Sequence, residues 1–144
     1  MRTTAGFTLL EILVVVMIIT ILATIVGLNL AKEPGKARIA KAKATIGILK
    51  TALQRYRMDH GRLPTQEQGL QALCAKPERP PVPEQYPEGG YLDSREMPLD
   101  PWKHEYVYLC PGPSGEAFLI VSYGADGEQG GTGEDADITS NDLN

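Results

Sequence analysis

Residues 12–31 run for twenty positions without a charged side chain, and Thr20, Thr24 and Asn29 are the few polar groups among them. As an α-helix rising 1.5 Å per residue, such a run is about 30 Å long, the thickness of a bilayer's hydrocarbon core. Its β-branched start at residues 12–19 would suit a buried strand in water. Its length favours a helix spanning lipid, where every backbone polar group must be satisfied within the segment. Of the 144 residues, about 110 follow it, which suffices for one small core and leaves no room for a second large domain.

Two fates are open to such a segment. Only six residues, with Arg2 their single charge, precede the sequence Phe7-Thr8-Leu9-Leu10-Glu11, and that short basic start suits a cleaved secretory signal. A retained anchor is favoured because Glu11 sits inside the apolar surroundings and no small-x-small cleavage signal precedes the charged stretch. A carboxylate at the head of a membrane helix is costly unless paired or neutralised. The amine of a neighbouring subunit could pair with it, or Glu11 could rest at headgroup level and favour the helix N-terminus.

The formal charge of −4 conceals a polarity along the chain. Residues 32–57 carry eight basic side chains (Lys32, Lys36, Arg38, Lys41, Lys43, Lys50, Arg55, Arg57) against Glu33 alone, whereas residues 116–144 carry seven acids and no Lys or Arg. The basic stretch could meet anionic headgroups or acidic surfaces of neighbouring subunits. Nucleic acid is disfavoured, because no recognition fold or aromatic stacking platform accompanies it.

Pro34 and Gly35 predict a kink or short non-helical stretch within residues 29–35. A helix then resumes, since Ile39, Ala42, Ile46, Leu49, Leu53 and Tyr56 recur every three or four residues and form one apolar stripe. Gly61 is the C′ candidate that ends it. Thr65 is an N-cap candidate whose capping box Gln68 completes, opening a turn and short helix in which Leu70 and Leu73 face the core. Residues 76–90 hold five prolines and read as a loop. Residues 105–109 and 117–123 read as an antiparallel hairpin, with hydrophobic structure ending at Ser122.

Cys74 and Cys110 fit no close-spaced metal motif; they are either one disulfide helping to hold the proline-rich loop or two small thiols. Asp126, Glu128, Glu134, Asp135 and Asp137 crowd into twelve residues among Gly127, Gly130, Gly131 and Gly133. Carboxylates and carbonyls on a glycine-rich chain suit Ca²⁺, although the spacing is not that of an EF-hand. A solvated acidic loop is the other reading. Ser94, Ser114, Ser122 and Ser140 lack a nucleophile-elbow context, and neither His60 nor His104 has a partner evident in sequence, so a membrane-tethered hydrolase is disfavoured.

Residues 6–11 resemble the processing motif of type IV pilins and type II secretion pseudopilins. The later strings Leu63-Pro64-Thr65, Gly69-Leu70, Ala72-Leu73, Gly90-Tyr91-Leu92, Asp100-Pro101-Trp102, residues 123–127, Gly130-Gly131 and residues 135–138 resemble the major pseudopilins among them. The resemblance implies an α+β, pilin-like fold: a long N-terminal helix, a small antiparallel sheet and a C-terminal calcium loop. It divides the chain into a leader (1–6), a transmembrane and filament-core helix (7–31), its amphipathic continuation (32–60) and a globular region (61–144).

It implies that a prepilin peptidase cuts between Gly6 and Phe7 and methylates the new N-terminus, and that Glu11 registers the amine of an adjacent subunit. It implies a structural Ca²⁺ on Asp126, Asp135 and Asp137, with carbonyls of residues 123–125 as further donors, and Glu128 and Glu134 either facing solvent or standing in for one of these ligands. It implies a homopolymeric periplasmic filament anchored in the bacterial inner membrane. Its partners would be minor pseudopilins, the inner-membrane assembly platform, the peptidase, and the secretin or exported substrates. A surface pilin for adhesion or motility is the alternative. Leu28 and Thr20 stand where those families usually have a proline and a glycine, and Lys103-His104 where glycine and asparagine are common, which suggests altered turn chemistry.

Overall fold

The computed structural model describes residues 8–30 and 33–143, with side chains described for residues 8–22 and 34–143. The chain forms two compact units, residues 1–36 and residues 37–144. In the first, helix α1 (Leu9–Leu30) starts at Thr8, which accepts the Glu11 N–H through its hydroxyl (3.2 Å). Helix α2 (Glu33–His60) begins with Pro34 in its first turn, where a missing N–H costs nothing. Residues 31 and 32, in the middle of the predicted break, lie outside the described residues.

The second unit is built on the stripe read from the sequence. Ala42, Ile46, Leu49, Leu53 and Tyr56 are fully buried on one side of α2, and Ile39 packs at the margin of the same core. Burial of this face is what holds α2, because propensity alone leaves a helix marginal in water. The helix stops at His60, and Gly61 follows with φ +70°.

The predicted capping box is present in both directions. Gln68 N–H donates to Thr65 Oγ1 (3.2 Å), and Thr65 N–H donates to Gln68 Oε1 (3.0 Å). The turn leads into a 3-10 helix, Leu70–Leu73, that buries Leu70 and Leu73. The side chain of Gln68 does more than its sequence context suggests. Its Nε2 donates to Arg79 O (2.7 Å) and Pro81 O (3.1 Å), tying the proline-rich loop to the turn. Tyr86 O–H donates to Ala72 O (3.1 Å) and Tyr91 N–H to Leu73 O (2.7 Å). The second approach needs glycine at position 90, where a Cβ would sit 2.7 Å from Leu73 O. These bonds order the loop while both Cys74 and Cys110 remain free thiols. Gln68→Ala is expected to cost about 1–3 kcal/mol and to open residues 76–90 to proteolysis, checked by denaturant unfolding and limited digestion.

The predicted hairpin is present, and a third strand that the sequence did not show extends it. The sheet has three antiparallel strands in the order β1 (Val107–Leu109), β2 (Leu119–Ser122), β3 (Ile138–Thr139). Tyr108 faces Ile120 in the first pairing, and Ser122 faces Ile138 in the second. Hydrophobic structure therefore does not end at Ser122. Ile138 is in the core, Ser140 is buried and Leu143 packs against the cluster. A two-residue strand between Asp137 and Ser140 leaves no alternation to read. The outer edge of β1 is covered by one side chain. The Gln66 amide donates to Tyr108 O (2.6 Å) and accepts from Cys110 N–H (2.8 Å), as a neighbouring strand would.

Candidate functional site

The acidic segment after β2 is folded back on itself by its own backbone. Ala125 N–H donates to Glu134 O (2.9 Å), Asp137 N–H to Gly130 O (3.2 Å) and Asp135 N–H to Thr132 O (3.3 Å). Gly124 permits the closure, since a Cβ there would lie 2.5 Å from Glu134 O and its φ is +67°. The two limbs carrying Asp126 and Asp135–Asp137 are thus held side by side. Asp126 Oδ1 accepts the Glu128 N–H (3.0 Å), and Asp137 Oδ1 accepts the Gly130 N–H (2.9 Å). Asp126 and Asp135 are exposed and Asp137 is half-buried.

The donors in this loop are carboxylate and carbonyl oxygens, which fit a hard cation and do not suit a soft one. Among the described residues, no three His, Cys, Asp or Glu side chains converge into a metal-holding group.

Glu134, expected to face solvent, keeps 43% of its side chain exposed and is also tied to the fold. It is half-buried, and its Oε2 accepts from Arg38 of α2 (3.5 Å) and from the Trp102 indole N–H (3.4 Å). His104 Nδ1 sits 3.1 Å from Gly124 O, so the ring donates to that carbonyl and braces the other limb. None of these three contacts has a local sequence signal, because the partners lie 96, 32 and 20 positions apart.

Beneath these braces is Asp100, a buried acid whose part in the site the sequence did not reveal. Its Oδ1 accepts the N–H groups of Trp102 (3.0 Å) and His104 (2.8 Å), and its Oδ2 accepts the Ser122 hydroxyl (2.7 Å). Asp100-Pro101-Trp102 is therefore a turn that presents Trp102 and His104 to the acidic loop and ties both to β2. Lys103 completes it at φ +74°, the one non-glycine residue in the left-handed region among the described residues. The departure at this position has a concrete consequence, because an L side chain there is strained by roughly 1 kcal/mol. Lys103→Gly is expected to raise stability by up to about 1 kcal/mol, the relieved strain partly offset by a freer unfolded chain; the urea midpoint reads it directly.

The histidines have structural partners. Tyr91 O–H donates to Asp59 Oδ2 (2.9 Å), and His60 Nε2 lies 2.8 Å from the Tyr91 phenol oxygen, positioned to donate to it. Tyr56, Tyr86 and Tyr91 pack edge-on or tilted around this point. Burial raises the Tyr86 phenol to about 12, and burial followed by the Asp59 hydrogen bond raises Tyr91 further. The folded state thus holds phenolic protons that the unfolded chain releases from about pH 10. Stability should be level below pH 10 and fall as pH rises toward 12, which alkaline unfolding followed by tyrosinate absorbance would check.

At the other end of the chain, Gly6 and Phe7 lie outside the described residues. Glu11 is exposed in the first turn of α1. Among the described residues no helix is long and apolar enough to cross a membrane. The described side chains of α1 stop at Leu22, short of the full run through residue 31.

Residues 29–141 match the family model described as type II secretion system, protein G, and residues 1–27 match the prokaryotic N-terminal methylation motif. The chain is 43% identical over 137 residues to the type II secretion system core protein G of Pseudomonas aeruginosa, covering 95% of this chain and 94% of that protein. It is 46% identical over 138 residues to the protein of the same name from Vibrio cholerae, covering 96% and 92%. It is also similar to the crystal structure of the major pseudopilin from the type 2 secretion system of enterohaemorrhagic Escherichia coli. There the TM-score is 0.64 at 38% identity, covering 78% of this chain and 93% of that one.

Proposed function

The chain belongs to the protein G family of the type II secretion system, as a non-catalytic structural subunit of the pseudopilus that supports export, and from that premise we propose how it is processed, anchored and steadied. The observation that carries the anchoring is α1 itself. From Leu9 to Leu22 its large apolar side chains are 45–86% exposed, and Glu11 is the single charge among them. Twelve such side chains in water represent on the order of 20 kcal/mol of unburied apolar surface. Lipid covers them before assembly, and neighbouring α1 helices cover them in the filament. The membrane is the bacterial inner membrane, with the globular unit periplasmic.

Prepilin peptidase removes residues 1–6 and methylates Phe7. Glu11, in the first turn of α1, then accepts the amine of an adjacent subunit, which offsets the cost of taking a carboxylate into an apolar bundle. Asp126, Asp135 and Asp137 would hold Ca²⁺ once the two limbs close on it, and the ion would supply the positive charge that the loop lacks. The filament is a homopolymer that meets minor pseudopilins and the inner-membrane assembly platform. Intact-mass measurement of the membrane-extracted protein tests the processing. The expected mass lacks residues 1–6 and carries one added methyl group. A mature chain beginning beyond residue 31, or one still bearing Met1–Gly6, would overturn the reading.

A further inference from the structure

The side of α2 that faces away from the core carries a second stripe. Lys41, Ala44, Ile48, Thr51, Arg55 and Met58 follow one another at spacings of three and four and are all exposed, Ile48 at 60% and Met58 at 78%. Thr51 turns its hydroxyl onto Gly47 O (2.9 Å), so its hydrogen-bonding need is met inside the helix and its methyl group adds to the apolar surface. Stability of the single chain does not explain this stripe, because the opposite side of α2 makes the core. Lys41 and Arg55 make no ion pair with the described residues.

Charge identifies what covers it. α2 holds seven Lys and Arg against Glu33 and Asp59, whereas residues 61–144 hold fifteen Asp and Glu against five Lys and Arg. A basic, partly apolar helix face and an acidic body on one chain are complementary between copies. A contact joining two different patches is heterologous, and repeated without closure it yields a filament rather than a dimer.

We propose that this outward stripe of α2 docks on the acidic globular unit of a second copy, with Ile48 and Met58 as the apolar contacts and Lys41 and Arg55 as the charges that set its register. The proposal rests on the pseudopilus assignment and adds to it which face of the helix reads the neighbouring subunit.

The test uses the full chain in its membrane, with pelletable polymer and the thermal midpoint both measured. Lys41→Glu with Arg55→Glu should leave the midpoint unchanged and cut polymer about tenfold or more, since like charges at a contact are strongly repelled. Ile48→Asp should do the same. Lys41→Arg with Arg55→Lys should keep wild-type polymer, and wild-type polymer should weaken as salt rises. Undiminished polymer in the charge-reversed and Ile48→Asp chains, beside a wild type that polymerises, would overturn the proposal and leave the assignment standing. Loss of binding to anionic vesicles with polymer intact would overturn it in favour of lipid headgroups. A wild type that forms no polymer would overturn the assignment itself.

Discussion

Asp100→Ala is expected to cost about 3–5 kcal/mol and to lower the thermal midpoint by on the order of 10–20 °C. The carboxylate is buried and answers three donors at once: the Trp102 and His104 amides and the Ser122 hydroxyl. Alanine strands all three, and each unsatisfied buried group costs about 1–3 kcal/mol. The loss would represent a large share of the total stability of a domain of this size. Ser122→Ala removes one donor together with its need and should cost only about 1 kcal/mol. Asp100→Asn keeps an acceptor for the two amides and lets the hydroxyl turn to accept, so it should fall between them. The order Ala, Asn, Ser122→Ala in decreasing damage is the signature of a carboxylate organising a turn. A loss below about 1 kcal/mol for Asp100→Ala would show that water replaces it. The damage should also reach the acidic loop, because Trp102 and His104 brace Glu134 and Gly124 only while the turn holds.

What could be read in advance divides along physical lines. The core stripe of α2, the end at Gly61 and the Thr65–Gln68 box are local. Each is set by residues within a turn or two, and helical periodicity or capping chemistry records them directly. The N-terminal motif was legible for a different reason, since its string of residues matches a known processing signal over adjacent positions.

Features that span the fold were not legible. Gln66 stands in for a strand beside β1 through partners more than forty residues away. β3 is two residues long and takes its place because β2 offers it an edge and Ile138 a seat in the core. Asp100 looked like part of a motif without a role, and its role appears only when Ser122 comes beside it. The composition identified the acidic loop, but its attachment to α2 through Glu134 depends on Arg38, which belongs to the basic stretch at the other end of the domain. Long-range polar pairings of this kind leave no period and no spacing, so a sequence names the residues and the fold decides which of them meet.

Removal of Ca²⁺ should loosen the acidic loop, lower the thermal midpoint by on the order of 10 °C and weaken assembly, while leaving membrane insertion intact. An ion held at a hundred times its dissociation constant contributes about 2.7 kcal/mol to the folded state. Here it would act against repulsion among carboxylates on two limbs that the Ala125–Glu134 and Gly130–Asp137 bonds already hold together. Arg38 and Trp102 fix Glu134, so loosening should centre on residues 126–133 rather than on the anchored limb. Asp135→Asn separates a ligand from a merely repelling charge. Asp135 is exposed, and its side chain makes no hydrogen bond to the described residues. Its neutralisation should therefore leave the Ca²⁺-free protein as stable as the wild type or slightly more so, because one repelling charge is gone. The same change should remove most of the Ca²⁺-dependent gain, so the two effects have opposite signs. Melting and limited proteolysis with saturating Ca²⁺ and with chelator, on wild type and Asp135→Asn, read both. Identical midpoints and cleavage patterns of the wild type under the two conditions would defeat the calcium assignment and leave a solvated acidic loop held by its glycines and its backbone.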